Sequence, residues 1–322
     1  MSRAAVATIA VVLLLLGLAS LLVPSGDLAT LATRDPALMR LILVELRLPR
    51  VLLALGFGAI LGAAGAAVQA LFANPLASPD ITGASGGAAL GAVFAGYILG
   101  FSGSAGLMAG GVAGALAALA LLLALAGPRA ETATLLLAGV AISAATGAAT
   151  ALALALAPSP FAFYDAYDWL MGSLVDRSLA QAAFTLLPGG VAMAVLLRQA
   201  GALDALALGE ETAAAMGHDL GRLRLRVIVA SAIGVGAGVA TCGAIGFIGL
   251  VAPVFARRLT GGHPGRAILP AAAIGAALLA AADLAIRAMP VGRPLPVGIV
   301  TAMFGGPFFL WLVARMRWDW RG

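Results

Sequence analysis

Lysine is absent from this sequence, and charged residues of every kind are scarce. All 19 basic residues are arginine, and charged residues make up only 10% of the 322 positions. A soluble domain carries about 25% charged residues, so this chain lacks the polar surface that water requires. Without lysine it has neither a Walker A phosphate loop nor a Schiff-base lysine. The arginines lie scattered at the ends of apolar runs, which argues against nucleic-acid binding.

Residues that perform chemistry are equally scarce. The lone cysteine, Cys242, excludes a disulfide within the chain and is expected to be a small buried residue. His218 and His263 belong to no H-E-x-x-H motif or other ligand pattern. We therefore predict no metal site, no bound cofactor and no catalytic residue, so the chain is expected not to be an enzyme.

Long apolar runs are abundant, with 62% hydrophobic residues and a mean hydropathy of +1.07. Because a membrane-spanning helix needs about 20 mostly apolar residues, the runs predict an all-α, polytopic membrane helix bundle with about ten transmembrane helices and a single domain over 1–322. The short, Gly-interrupted runs are candidates for broken helices. The first run could be a signal peptide, but a retained span is preferred because no clear cleavage site precedes Pro24. The predicted spans are 4–23, 48–71, 83–100, 105–126, 132–157, 179–197, 226–243, 245–259, 268–287 and 296–314.

Glycine is frequent, with 42 residues, and often recurs at the G-x-x-x-G spacing that lets helix backbones approach closely in a membrane. This pattern predicts a packed bundle and carries no information on substrate. An internal repeat of the kind found in secondary transporters is not visible. The glycine sets are Gly58/Gly62, Gly87/Gly91, Gly96/Gly100, Gly106/Gly110/Gly114 and Gly234/Gly238.

The distribution of loop arginines predicts that both termini are cytoplasmic, because cytoplasmic loops carry the excess of basic residues. The segments assigned to the cytoplasm hold Arg3, Arg129, Arg198, Arg222, Arg224, Arg226, Arg258, Arg266, Arg315, Arg317 and Arg321. The segments assigned to the outside hold Arg34, Arg40, Arg47, Arg50, Arg177, Arg287 and Arg293.

Asp283 is the ionisable residue that lies well inside a predicted span, and Arg287 follows four residues later on the same helix face. A buried ionisable residue is a functional candidate by default. The alternative, which we favour, is an ion pair near the outer end of the span.

One stretch departs from the apolar pattern: residues 203–226 read LDALALGEETAAAMGHDLGRLRLR. Gly209 divides it into two short predicted helices, with Glu210 and Glu211 in the first turn of the second, where the helix dipole favours acids. Gly217 suits a left-handed C-cap. The stretch is either an amphipathic linker on the membrane surface or a docking element for a soluble partner. Its paired acids favour the partner, since an anionic membrane repels them.

Five ordered motifs run through nearly the whole chain. They are LRLPRVLLALGFGAILGAAGAAVQALFANPLASPDITGASGGAALGAV at 46–93, WLMGSL at 169–174, LGEETAAAMG at 208–217, CGAIGFIGLVAPVFARRLTGG at 242–262 and LPVGIVTAMFGGPFFLWLVARMR at 295–317. Together they resemble the FecCD-type permeases of binding-protein-dependent ABC importers, which carry iron–siderophores, haem or vitamin B12.

The resemblance implies a set of partners. Two permease subunits, alike or different, would form one pathway in the bacterial inner membrane, two cytoplasmic ATPases would bind ATP and Mg, and a periplasmic protein would deliver the ligand. Membrane lipid would surround the complex. The polar segment, about 201–222, would then receive the ATPase stroke through Leu208, Gly209, Glu210, Glu211, Ala213 and Gly217.

The resemblance also gives the outside arginines a role, because in the family such arginines pair with glutamates on the binding protein. Arg47 and Arg50 match the RLPR motif, Arg287 matches the arginine after the ninth span, and Arg293 is added on position alone. The arginine fork suits carboxylates, and charges at the rim mainly speed encounter. The alternative is that these side chains extend to lipid phosphates.

The sequence departs from the family pattern at two positions. Val254 stands where relatives have histidine after the proline of GLxxPHxxR, and Pro294 replaces the acid of ELPVG. These departures leave the fold prediction intact and put a shared ligand specificity in doubt.

The translocation pathway in relatives is lined by the fifth and tenth spans and is largely apolar. Ser143, Thr146, Thr150 and Thr301 are the polar candidates for it in this chain. Each could instead be a helix hydroxyl bonded to the preceding turn.

The sequence therefore predicts an inner-membrane permease subunit of an ABC importer, with a ferric siderophore as the expected cargo and haem or cobalamin as alternatives. A stand-alone secondary transporter is the contrasting class, and it would be expected to carry midplane carboxylates or a repeat. A membrane-embedded enzyme would need a paired His or Asp motif inside a span, which this sequence lacks.

Overall fold

The computed structural model describes residues 3–23, 33–101, 104–127, 132–289 and 295–319, and within these ranges the chain is helical without a β-strand. The all-α prediction is confirmed. In chain order the helices are α1 (Arg3–Leu22), α2 (Pro36–Leu41), α3 (Leu48–Leu71), α4 (Ala84–Val93), α5 (Ser104–Ala126), α6 (Thr132–Ala155), α7 (Pro160–Leu170), α8 (Leu179–Arg198), α9 (Ala200–Leu206), α10 (Glu210–Ala215), α11 (Leu220–Cys242), α12 (Ile248–Leu259), α13 (Ile268–Ala288) and α14 (Val297–Asp319).

Helices occupy every predicted span. Shorter ones lie at Ala7–Leu22, Ala84–Ile98 and Val297–Leu312, and α12 has only 12 residues. Nine of the ten predicted spans thus correspond to apolar helices, and the span predicted at 245–259 corresponds to α12, which carries Arg257 and Arg258 in its last turn. The shorter helices fall below the ~20 residues that a bilayer requires. Six helices of the described ranges are long and apolar enough to cross a membrane: Pro36–Leu71, Ala105–Ala126, Thr132–Ala155, Leu179–Arg198, Leu220–Cys242 and Ile268–Ala288.

The second span begins earlier than predicted. Helix α2 runs through a π-helical segment, Ile42–Arg47, directly into α3. In this segment the Leu48 N–H donates to the Leu43 carbonyl, one residue further back than in an α-helix. Pro49 follows at once and has no N–H to donate, so the widened turn lets the helix continue past a residue that otherwise breaks it.

Helix α7 was not predicted. Ser159 caps it by accepting a hydrogen bond from the Ala162 N–H, and Pro160 occupies its first position. Its residues, PFAFYDAYDWL, mix aromatic and acidic side chains, so no apolar run marks the helix. The Ser–Pro pair was the available signal, because proline is favoured just after an N-cap.

Helix α3 lies at the centre of the bundle and packs against α8, α11, α12 and α13. A side chain at Gly58 would meet the backbone of Gly275, and one at Gly62 would meet the backbone of Ala271. The absence of side chains therefore lets α3 and α13 approach at backbone distance, as the G-x-x-x-G spacing predicted.

A second glycine seam joins α4 to α5. Gly87 and Gly91 on α4 face Gly110 and Gly114 on α5, and a Cβ added at any of the four would collide with the partner helix. The two helices are thereby fixed in register, and α11 packs against both.

Candidate functional site

The polar segment folds as two short helices, as predicted. Gly209 separates α9 from α10 with φ 110° and ψ 152°, a conformation that only glycine adopts readily. Gly217 ends α10 at φ 86°. The His218 N–H donates to the Ala213 carbonyl at 3.1 Å and the Gly217 N–H to the Ala214 carbonyl at 2.9 Å, which is the Schellman C-cap.

Both short helices are tied to neighbouring elements by charged side chains. On α9, the Asp204 carboxylate accepts a hydrogen bond from the Gly265 N–H at 2.7 Å and lies 3.7 Å from the Arg266 guanidinium. On α10, Glu210 pairs with Arg224 of α11 at 2.6 Å. The polar segment is therefore linked to the α12–α13 connection through one helix and to α11 through the other.

The outward face of the polar segment combines apolar and acidic groups. Leu208 is 67% exposed and Met216 is 59% exposed, on either side of α10. Glu211 is exposed and makes no ion pair within the described ranges, whereas Ala213 is fully buried. An exposed apolar patch rimmed by charge is typical of a protein contact surface. Of the six residues predicted for coupling, Ala213 alone faces inward.

At the opposite end of the bundle, Asp283 holds two of the predicted docking arginines. Its side chain is 1% exposed, and it accepts from Arg50 Nε at 2.8 Å and from Arg287 Nε at 3.0 Å. The Asp283–Arg287 pair was predicted from the helix spacing. The partnership with Arg50, 233 positions away, could not be predicted because it depends on how α3 packs against α13.

Arg287 and the neighbouring Arg47 also donate hydrogen bonds to the C-terminal end of α1. Arg287 Nη1 donates to the Ser20 carbonyl at 2.5 Å, its Nη2 donates to the Ser20 hydroxyl at 2.7 Å, and Arg47 donates to the Leu21 carbonyl at 2.8 Å. Cations at the last carbonyls of a helix satisfy its unpaired acceptors and its dipole. Arg47, Arg50, Asp283 and Arg287, here called the arginine cluster, contain three positive charges and one negative charge.

Arg293 lies outside the described residues, as does Pro294. Val254 is partly buried in α12, directly after the buried Pro253. The structure therefore positions three of the four docking candidates together.

Three of the four predicted pathway hydroxyls bond within their own helix. Thr146 donates to the Ile142 carbonyl at 2.8 Å, Thr150 to the Thr146 carbonyl at 2.8 Å and Thr301 to the Gly298 carbonyl at 3.0 Å. Ser143 instead donates to the Asp80 carbonyl at 3.1 Å, across to the short 3-10 turn Pro79–Thr82. The alternative of a bond to the preceding turn therefore describes the three threonines.

The hydroxyls also line separate cavities. Thr146 borders an apolar cavity of about 650 Å³ between α4, α5 and α6. Thr301 borders another of about 350 Å³ between α12, α13 and α14. A single chain thus does not bring the hydroxyls of α6 and α14 together.

The known proteins that are similar in sequence to this chain are named as permeases of transport systems. The sequence profile of the FecCD transport family matches residues 6–315. A vitamin B12 import system permease protein of Vibrio cholerae is 41% identical, over 84% of this chain and 82% of its own length. The Fe(3+) dicitrate transport system permease protein of Escherichia coli K12 is 38% identical, covering 86% of each chain. The hemin transport system permease protein of Yersinia pestis is 38% identical, over 85% of this chain and 83% of its own length.

A solved structure shares the whole fold. It is described as an inward-facing conformation of a metal-chelate type ABC transporter, with a TM-score of 0.86 and 28% sequence identity. The superposition covers 98% of this chain and 100% of the other.

Proposed function

Because this chain belongs to the FecCD transport family, we propose that it is the permease subunit of an ATP-driven ABC importer and forms the translocation pathway for a metal chelate. The observation that carries the proposal is the match of the entire bundle to a metal-chelate transporter. The curated relatives point the same way, since their names specify vitamin B12, ferric dicitrate and hemin, all chelated metals.

Three cargoes compete within that class, and haem is the third of them, since a hemin permease is 38% identical. A ferric siderophore is the cargo expected from the sequence. Cobalamin is the second candidate, because a vitamin B12 permease is the relative at 41% identity. The apolar lining between α4, α5 and α6 suits all three, since a bulky chelate can pass such a surface without being held by hydrogen bonds.

The polar segment is proposed to receive the ATPase stroke on the cytoplasmic side. Leu208 and Met216 offer apolar contact, and Glu211 offers a charge for an arginine or lysine of the ATPase. Displacement of the segment would pass to α11 through Glu210–Arg224 and to the α12–α13 connection through Asp204. ATP and Mg would be held by that partner, and this chain would contribute no catalytic group.

The arginine cluster is proposed to face the periplasm and to meet acidic residues of a binding protein. Its excess of two positive charges supports this, as Arg50 and Arg287 share the Asp283 carboxylate and Arg47 adds a third positive charge at the end of α1. Within this proposal Arg287 and Arg50 would contribute little direct contact, since their side chains are only 8% and 18% exposed. A second permease subunit, identical or different, would complete the pathway in the inner membrane, with both termini in the cytoplasm.

ATP-dependent uptake into proteoliposomes tests this function. The complex is purified from its native membrane after mild crosslinking, its subunits are identified by mass spectrometry, and it is reconstituted with iron-55 siderophore, cobalt-57 cobalamin or haem. We expect an ATPase to co-purify and uptake to require ATP. Uptake driven by a proton or sodium gradient without ATP would instead establish a secondary transporter.

A further inference from the structure

Four arginines lie between residues 198 and 226, at the end of the bundle that carries the polar segment. Arg222 pairs with Asp219, and Arg224 pairs with Glu210. Arg198 and Arg226 are exposed and form no ion pair within the part of the chain that the structure describes. The segment thus leaves two cations uncompensated.

Both uncompensated arginines line one cavity of about 680 Å³. Arg198 is the last residue of α8, Arg226 lies two turns into α11, and His218 adds an imidazole from the connection between α10 and α11. Helices α8 and α11 pack side by side, so the cations converge from different elements. The volume falls in the range of ~300–1,000 Å³ found for small-molecule sites.

An apolar stripe on α8 leads from this cavity along the bundle. Leu187, Val191, Val195 and Arg198 follow one another at spacings of four, four and three residues, which places them on one helix face. Leu187 is 71% exposed and Val191 is 67% exposed, while Val195 lines the cavity itself. The face is therefore lipid-compatible along its length and cationic at its end.

We propose that this cavity, the Arg198/Arg226 site, binds the phosphate of an anionic phospholipid whose acyl chain lies along the α8 stripe. Arginine donates to phosphate through two parallel N–H groups, and basic pockets at the ends of spans select acidic headgroups. Arg198 ends an apolar span and so lies at headgroup depth. The stripe is what selects a lipid over a free phosphate, since soluble phosphates gain nothing from an apolar surface. This inference does not depend on the cargo or on the ATPase.

Native mass spectrometry of the purified full-length chain tests the site by titration with phosphatidylglycerol and phosphatidylcholine of identical acyl chains. Wild type is expected to prefer phosphatidylglycerol. Because a basic residue near an anionic headgroup contributes a factor of about five, Arg198→Gln with Arg226→Gln should weaken phosphatidylglycerol binding about 25-fold and leave phosphatidylcholine unchanged. Arg198→Lys with Arg226→Lys should retain most of the preference, since the charges remain.

The matched control is Arg222→Gln with Arg258→Gln, which removes the same charge from two other exposed arginines. It should leave phosphatidylglycerol binding unchanged, and an equal loss would overturn the site in favour of general surface charge. Equal binding of both lipids by wild type would also overturn it. Displacement of phosphatidylglycerol by millimolar glycerol phosphate would reassign the site to soluble phosphates. Monodisperse gel filtration of both double variants excludes misfolding as the cause.

Discussion

Asp283 lies 1% exposed between Arg50 and Arg287 at one end of the bundle, whereas Glu210 at the other end is 54% exposed and pairs with Arg224. Both sites use arginine and a carboxylate at hydrogen-bonding distance. In the arginine cluster the pairing joins α1, α3 and α13, and water has little access. In the polar segment the pairing joins one short helix to α11, and only the carboxylate is open to water, because Arg224 is 15% exposed.

The comparison indicates that the burial of the carboxylate, more than the residue types, decides whether an arginine–carboxylate pair fixes the fold or can break during a motion. A buried carboxylate that loses its partners keeps its desolvation cost, so the Asp283 pairs with Arg50 and Arg287 must remain intact for the fold. An exposed pair is screened by water and contributes little, so it can break and re-form during a motion. The cluster is suited to fix structure, and the polar segment is suited to move.

The largest expected effect comes from Asp283→Asn. The change leaves Arg50 and Arg287 in place without a counter-charge and should destabilise the chain by about 3–5 kcal/mol. Thermal unfolding in detergent measures it, with Asp219→Asn in the exposed Asp219–Arg222 pair as the control. If both variants unfold at the same temperature, burial does not distinguish the two ends.

Gly209→Val should alter function more than stability. A Cβ there meets only the Thr212 hydroxyl at 3.9 Å, so space is available, but φ 110° is strained for valine by about 1–3 kcal/mol. We expect ATP hydrolysis to continue while uptake falls, with normal amounts of protein in the membrane. Gly217→Asn is the control, because asparagine tolerates φ 86°. Uptake at the wild-type rate by Gly209→Val would remove the coupling role from the segment.

Arg47→Glu tests the proposed docking role of the arginine cluster. Asp283 keeps Arg50 and Arg287 when Arg47 is reversed, and the reversal removes a contact to the Leu21 carbonyl at the end of α1. It should therefore cost less stability than Asp283→Asn, and it should weaken docking of the binding protein about tenfold at low salt. Surface plasmon resonance measures the association rate, and Arg40→Glu, an exposed reversal on α2, is the control. Equal docking by wild type and Arg47→Glu would favour lipid phosphates as the partners of Arg47.

The smallest effect is expected for Glu210→Gln. The pair with Arg224 is half exposed on the glutamate side, so its loss should cost at most about 0.5 kcal/mol. The unfolding temperature should stay within a degree or two of wild type. A fall in unfolding temperature as large as that of Asp283→Asn would show that the Glu210–Arg224 pair also stabilises the fold.

Much of the fold could be predicted because lipid solvent leaves few alternatives. Backbone groups in a bilayer must bond within the helix, so each apolar run is a helix. The run predicted at 132–157 is α6, Thr132–Ala155, and that at 268–287 is α13, Ile268–Ala288. The prediction failed where this rule does not apply, at α7, whose aromatic and acidic residues form no apolar run.

The candidate site could be predicted less well. The local features were predictable from the sequence, since glycine at a helix end and acids in a first turn act through neighbouring residues, as at Gly209 and Gly217. The partners of the charges were not. Arg50 with Asp283, Asp204 with Gly265 and Glu210 with Arg224 each join segments whose approach depends on helix packing.

The sequence by itself determined the solvent, the helical class and the glycine spacings, because these depend on composition and on residues a few positions apart. Only the tertiary structure decided which charges are paired and which remain open. The electrostatic energy of an arginine depends on the distance and burial of its neighbours. Those quantities are set by the packing of α3, α8, α11 and α13 and are not encoded at any single position.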